Sequence, residues 1–183
     1  MTRPLRKDAA DRRSALLRAA AEVFAEEGID TPLDRIAERA GVGRATLYRN
    51  FANRTEIALA VLMDEVDVLG RRFAEPQDDE AFLDFLTALS ATLTRNTALG
   101  GVVRAAPSPE ILDPLRQALV RAATPALQVS QAADIVQDDI QPSDIRILSA
   151  MLGAALHNAA PAERNAIAGR TLALVLESVR AKP

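Results

Sequence analysis

The chain has 183 residues, 49% of them apolar but only 3% aromatic, and a formal net charge of −3. It holds no cysteine and a single histidine, His157, which excludes disulfide scaffolds, thiolate metal sites, cysteine nucleophiles and multi-histidine metal centres. No stretch approaches the roughly 20 apolar residues of a membrane helix, and the basic N-terminal segment lacks the apolar core of a secretory signal. The expectation is a cytoplasmic protein that makes no membrane contact.

Thirty-six alanines against eight glycines predict a mostly helical chain with a core of small and aliphatic side chains. Charge is uneven along it. Residues 1–54 carry eleven Lys/Arg and eight Asp/Glu, a balance of +3, whereas residues 55–183 carry eleven and seventeen, a balance of −6. A basic head on an acidic body suits a head that meets a polyanion.

The spacing predicts a first helix from about Lys7 to Glu27, with Leu16, Ala20, Val23 and Phe24 on its apolar face and Arg18, Glu22 and Glu26 on its solvated face. Gly28 is placed to stop it in the left-handed conformation, with Ile29 folding back on Phe24. Thr31-Pro32-Leu33-Asp34 reads as a helix start with Thr31 as N-cap and Pro32 in the first turn. The short second helix then runs to Ala40 and ends at Gly41. A third, carrying Arg44 to Arg49, follows within two or three residues and closes at Phe51. Asn53-Arg54-Thr55-Glu56 opens a long fourth helix to about Ala74, with glutamate three places after the capping residue.

Two short helices joined by a glycine turn form a helix-turn-helix unit. Ala37 is small where the helices cross, and Ile36, Val42 and Leu47 bury the inner faces. Arg44, Ala45, Thr46, Tyr48 and Arg49 are then left outward.

In the remainder, Asp78-Asp79-Glu80 starts a fifth helix to about Thr97 with the stripe Phe82, Phe85, Leu86, Leu89 and Leu93, and Gly100-Gly101 breaks the chain. Ser108-Pro109 and Asp113-Pro114 each start a helix, and Thr124-Pro125 kinks or restarts the longer one. The last two helices are expected over 142–158 and 161–181. Nothing in the chain pairs a nucleophile with a base, two catalytic carboxylates, or a glycine loop with a phosphate. No enzyme activity, catalytic residue, cofactor or metal is therefore expected.

Residues 31–57, TPLDRIAERAGVGRATLYRNFANRTEI, resemble the N-terminal signature of TetR-family transcriptional regulators. Thr31, Ile36, Ala37, Ala40, Gly41, Val42, Thr46, Leu47, Tyr48 and Phe51 match that pattern position by position. Gly43, Ala45, Asn50 and Arg54 stand where the family usually has serine, glycine, histidine and lysine. The segment VSQAADIVQDDIQPSDI also resembles a C-terminal stretch found in some regulators of this family.

The resemblance implies an all-α fold of about nine helices. A three-helix DNA-binding head, residues 1–52, would sit on a helical effector-binding and dimerisation body, residues 53–183. It further implies a repressor that leaves a double-stranded DNA operator when a small-molecule effector binds, the effector acting through the fourth helix. The residues it assigns to DNA are Thr31, Arg44, Ala45, Thr46, Tyr48, Arg49 and Arg54, with Arg44 reaching base edges.

Phe85, Leu89 and Met151 are expected to line an effector cavity. A homodimer is expected through the last two helices, at Gly153, Leu156, Gly169, Leu172 and Leu176. Arg3, Arg6, Lys7, Arg12 and Arg13 either add phosphate or minor-groove contacts or form a solvating tail. His157, Asn96 and Arg104 read first as helix-end residues and second as effector contacts. Two other readings of the whole chain stand beside the regulator: a helical interaction module that no longer reads DNA, and a helical enzyme with a buried apolar pocket.

Overall fold

The computed structural model describes residues 3–106, 108–157 and 159–182. Among these, the chain forms nine α-helices: α1 Arg3–Glu27, α2 Leu33–Arg39, α3 Arg44–Asn50, α4 Arg54–Arg72, α5 Ala81–Arg95, α6 Thr97–Arg104, α7 Asp113–Ala132, α8 Ile145–Ala154 and α9 Arg164–Val179. Short 3-10 turns at Pro109–Leu112 and Pro142–Asp144 lead into α7 and α8. Extended pairing among the described residues is limited to the isolated bridge between Val136 and Arg180. The architecture is all-α, as the composition predicts.

The glycine stops fall where expected. Gly28 and Gly41 adopt φ of +87° and +67°, a region that costs other residues a clash at Cβ. Each lets the chain reverse within a few residues, so α1, α2 and α3 fold against one another. The start of α2 differs from expectation. It begins at Leu33 after Pro32, and the Thr31 hydroxyl donates to the Glu27 carbonyl 3.3 Å away. Thr31 thus fills an acceptor left open at the end of α1 instead of capping α2.

Two hydrophobic cores result. The head core contains Leu16, Ala20, Val23 and Phe24 of α1, Ile36 and Ala37 of α2, Leu47 of α3, Phe51, and Ile57, Ala58 and Val61 of α4. Leu99, far along the chain on α6, completes it. The body core gathers Val66 and Leu69 of α4, the apolar stripe of α5, Ala118 to Leu127 of α7, and inward residues of α8 and α9. Full burial of each Leu, Ile or Phe is worth about 1.5–3 kcal/mol.

Three boundary expectations are corrected. Gly100 and Gly101 lie inside α6. The break falls at Asn96, whose buried side chain bonds the Thr92 carbonyl at 3.0 Å and Glu65 at 3.4 Å. Anchoring of Leu99 then carries α6 through both glycines. Helix α7 runs unbroken across Pro125, where the Thr124 hydroxyl donates to the Val120 carbonyl at 2.7 Å. The last two helices are shorter than expected, because α8 ends at Ala154 and α9 starts only at Arg164.

Phe85 and Leu89 are buried, the ring of Phe85 set edge-on to Phe73 at 5.4 Å and stacked on Phe82 at 6.4 Å. Met151 does not join them. The inward positions of α8 are Ile145, Leu148 and Leu152, a spacing that turns Ile147 and Met151 outward, 60% and 47% exposed. The same periodicity carries Leu156 into the protomer, 2% exposed, so it has no surface to offer a second copy. Leu172 and Leu176 are half-buried against the body core. Gly153 is half-buried and Gly169 exposed, and a Cβ at either would meet nothing within 4 Å.

Ser130, fully buried on α7, accepts a hydrogen bond from the Phe82 backbone N–H in the first turn of α5 at 3.0 Å. This N–H has no intrahelical partner. Ser130→Ala should therefore destabilise the protein by about 1–3 kcal/mol, the cost of a buried unsatisfied donor. Chemical denaturation measures it, and an unchanged midpoint would show that water replaces the hydroxyl.

Candidate nucleic-acid interface

Helix α3 has seven residues, and of these Leu47 alone is fully buried. That single anchor, with Phe51 just beyond the helix, fixes which way α3 faces. Arg44, Ala45, Tyr48 and Arg49 are exposed, and Thr46 is half-buried. Tyr48 is 53% exposed, so its ring and hydroxyl are both available on this face. The turn before α3 is tied down by the Val42 N–H donating to the Ala37 carbonyl at 3.0 Å. The helix opens with Gly43, whose carbonyl accepts from Thr46 N–H at 2.8 Å.

Glu22, Glu26 and Glu27 of α1 pair with the arginines of α2 and hold α2 onto α1. Arg39 reaches Glu26 at 2.8 Å and Glu22 at 3.2 Å, while Arg35 reaches Glu27 at 3.3 Å and Glu38 at 2.9 Å. Hydrogen bonding from Arg39, then its charge, lowers the Glu26 carboxyl below its ordinary range. These pairs are exposed and individually weak. Their effect is orientational: four carboxylates are neutralised on the flank of the head, so the outward face of α3 keeps its positive charge.

Arg44 swings to Asp34 at 2.9 Å but remains largely solvent-exposed. Arg49 donates to the Thr46 hydroxyl at 3.0 Å. A stronger charge can displace such exposed contacts at little cost. Arg54 is held more firmly. It donates to the Ile29 carbonyl and lies 3.6 Å from Asp30, which stitches the start of α4 to the α1–α2 turn. Asn53 caps α4 through Glu56 N–H at 2.9 Å, and Glu56 returns a bond to Ala52 N–H at 2.7 Å. The capping motif is present as expected, shifted by one residue on its return arm.

The structure brings Arg44, Ala45, Tyr48 and Arg49 onto one exposed face. It places Thr46 partly beneath them, Arg54 at the neighbouring helix start, and Thr31 in a buried turn. The Arg13 guanidinium stacks on the Phe51 ring at 4.6 Å, tying α1 to the end of α3. Arg13 thus lies on the Phe51 ring, a packing role outside both expectations for it, a DNA contact or a solvating tail; its spacing on α1 from Leu16 and Ala20 carries the signal that it borders the core. Arg12 is exposed. The side chains of Arg3, Arg6 and Lys7, and the whole of Asn158, lie outside the described residues. His157 is exposed and its Nδ1 contacts Arg104, so its partner is α6, not the carbonyls that end α8. Among the described residues no cluster of potential metal ligands is found, and no helix is long and apolar enough to cross a membrane.

A short helix presenting its outward face beyond a glycine turn, on a head packed by α1, defines a helix-turn-helix regulator. The family model for bacterial regulatory proteins of the tetR family matches residues 16–61. A TetR transcriptional regulator from Streptomyces coelicolor is 31% identical, with 93% of this chain and 99% of that chain covered and a TM-score of 0.68. A TetR transcription regulatory protein from Mycobacterium vanbaalenii shares the fold at 24% identity, with 97% and 100% coverage and a TM-score of 0.68. An HTH-type transcriptional regulator from Staphylococcus aureus is 33% identical over 76 residues, so that this chain spans only 41% of the length of that curated relative. The chain belongs to the TetR family of bacterial regulatory proteins.

Because Arg54 holds a backbone carbonyl, its loss should act on stability before it acts on any ligand. Arg54→Ala is expected to cost about 1.5–3 kcal/mol of unfolding free energy, the range for a hydrogen bond to a charged group. Arg44→Ala, on an exposed pair, should stay within about 1 kcal/mol of the parent. Equal denaturation midpoints for the two variants would remove the structural role given to Arg54.

Proposed function

We propose that this protein is a homodimeric, DNA-binding transcriptional repressor whose α3 enters the major groove of an operator. The observation that carries the reading is the division of α3 into one buried anchor and an outward face of Arg44, Ala45, Tyr48 and Arg49. The basic head and acidic body support it, since a polyanion is attracted to one and repelled by the other. Residues 1–52 act as the reading head and residues 53–183 as the sensing and dimerising body, in a cytoplasmic protein.

On this reading Tyr48, Thr46 and Arg49 contact phosphates and set register, Arg44 leaves Asp34 for a base edge, and Ala45 presents its methyl to the groove. Arg54 and Thr31 support the phosphate contacts from the start of α4 and the α1–α2 turn. Two copies place their recognition helices about 34–36 Å apart on a pseudo-palindromic operator. The dimer surface is built from α8 and α9, where Gly153 and Gly169 have open space above them and Leu172 and Leu176 border the face.

A small-molecule effector releases the repressor. Since Phe85 and Leu89 are close-packed, its site forms by parting α5 from its neighbours in the body core. Helix α4 carries the change, because its two ends belong to different cores. The effector shifts the equilibrium only by its differential affinity for the two states.

Binding to the protein's own upstream DNA, followed by fluorescence anisotropy, tests the reading. Affinity should fall by orders of magnitude between about 50 and 200 mM salt as phosphate contacts release counterions; a flat profile would sink it. Tyr48→Ala should weaken all operator variants alike, while Arg44→Ala should relax preference at one base pair by roughly 1–3 kcal/mol. An unchanged base preference would take Arg44 out of the base-reading role.

A second measurement addresses the dimer. Gly169→Arg should be tolerated by the protomer and yield a monomer with native helicity and weak operator binding, read by sedimentation and circular dichroism. A variant that remains dimeric moves the interface off α9.

A further inference from the structure

A cleft of about 440 Å³ opens between α7 and the start of α8. It is lined by Asp113, Arg116, Gln117, Val120, Arg121 and Arg146. The first five belong to α7 and recur at steps of three and four residues, which gathers them on one side of the helix. The core-facing side of α7 is a different set, with Ala118, Leu119, Ala122 and Ala123 buried. On α8, Ile145 is buried in the body core, and this anchor fixes the adjacent Arg146 at the cleft.

Three arginines meet one carboxylate there, a local balance of +2 on a body whose balance is −6. Asp113 lies 3.2 Å from Arg116. Arg121 and Arg146 are exposed and have no hydrogen-bond or ion-pair partner among the described residues. Arg146 also stands against local preference. It lies in the first turn of α8, where no acid offsets it, and the positive end of a helix disfavours a cation. Asp144, just before that turn, is committed to the Gln141 N–H at 2.8 Å. Helix stability therefore does not account for an arginine at this position.

The guanidinium groups define the ligand chemistry. Each presents a planar fork of N–H donors that matches two oxygens of a carboxylate or a phosphoryl group. Two forks supplied by two helices, with the Gln117 amide and the Val120 methyls in the same lining, suit a compact ligand bearing two or more anionic groups. The volume is that of a small-molecule site, too small for a duplex.

We propose that the α7–α8 cleft binds a small polyanion of the polycarboxylate or polyphosphate class, held by Arg121 from α7 and Arg146 from α8, at a place separate from the effector site in the body core. Asp113 opposes such a ligand and limits its affinity. Anion binding here is independent of operator binding, and each can fail without the other.

Calorimetric titration of the full-length chain with sodium pyrophosphate and with sodium citrate, at constant ionic strength, tests the site, with circular dichroism as the folding control. At least one probe should bind saturably at one site per chain, and the tighter of the two identifies phosphoryl or carboxylate as the preferred group. Arg121→Gln and Arg146→Gln should each weaken that probe about tenfold or more, the loss of a hydrogen bond to a charged group. Asp113→Asn should tighten it, since one opposing charge is removed. Arg170→Gln, which removes an exposed cation of α9 outside the cleft, should leave the affinity unchanged.

A ligand bound to the folded chain alone also raises its unfolding temperature. Saturating probe should do so for the parent and not for the Arg121→Gln/Arg146→Gln double variant. Saturable binding by neither probe overturns the proposal. An Arg170 variant that loses as much as the cleft variants overturns it too, because the attraction is then to net charge. Loss in the Arg121 variant with none in the Arg146 variant, or the reverse, overturns the bridging of the two helices.

Discussion

Ile57, Ala58 and Val61 close the core of the head, while Val66 and Leu69, about a turn further along the same helix, lie in the core of the body. Helix α4 therefore cannot tilt or rotate without disturbing packing at one end or the other. Packed interiors resist continuous deformation, so the position of α4 relative to α7 in the body fixes the position of the head. The hydrogen bond from Arg54 to the Ile29 carbonyl extends that constraint to the α1–α2 turn. The orientation of α3, and with it the whole outward face, follows from where α4 is held.

The electrostatics of the head serve the same end by a different route. Arginines on α2 are matched by carboxylates on α1, and the α3 arginines have lighter partners, Asp34 for Arg44 and a hydroxyl for Arg49. An α2 arginine would have to abandon two carboxylates to reach a phosphate. An α3 arginine abandons one exposed contact. The division between structural and functional cations thus lies in how many acids each one faces, not in the residue type.

Much of the head was legible because its signals are local. A glycine after an apolar run, an asparagine three residues before a glutamate and a single leucine at the right phase of a short helix are short-range patterns, and Gly28, Gly41, Asn53 and Leu47 all behave accordingly. The misreadings arose where distant contacts overruled local preference. Thr31 has a capping side chain, but the open Glu27 carbonyl competes for it. Gly100 and Gly101 look like a break until Leu99 is seen anchored in a core built by residues far earlier in the chain. Pro125 looks like a stop, yet α7 is surrounded by packing that outweighs one missing hydrogen bond. On α8 the error was one of phase. A stripe through Met151 and a stripe through Leu148 and Leu152 are about a quarter turn apart, and composition alone does not choose between them. Arg54 and Arg13 were recognised as cations, but that each is spent on a carbonyl or a ring depends on tertiary placement.

The burial of Leu99 also bears on how the chain acquires its structure. Almost every side chain of the head core comes from residues 16–61, a low-separation set of contacts of the kind that form early and fast. During synthesis this segment emerges before the body and can collapse while the body is still being made. The collapse is incomplete, because the place later filled by Leu99 has no local side chain to occupy it. The head thus reaches its final packing only when α6 has been translated and docked. Assembly of the outward face on α3 is in this way coupled to the maturation of the body, and a truncated product that ends before α6 carries the reading helix on a head that is not fully closed.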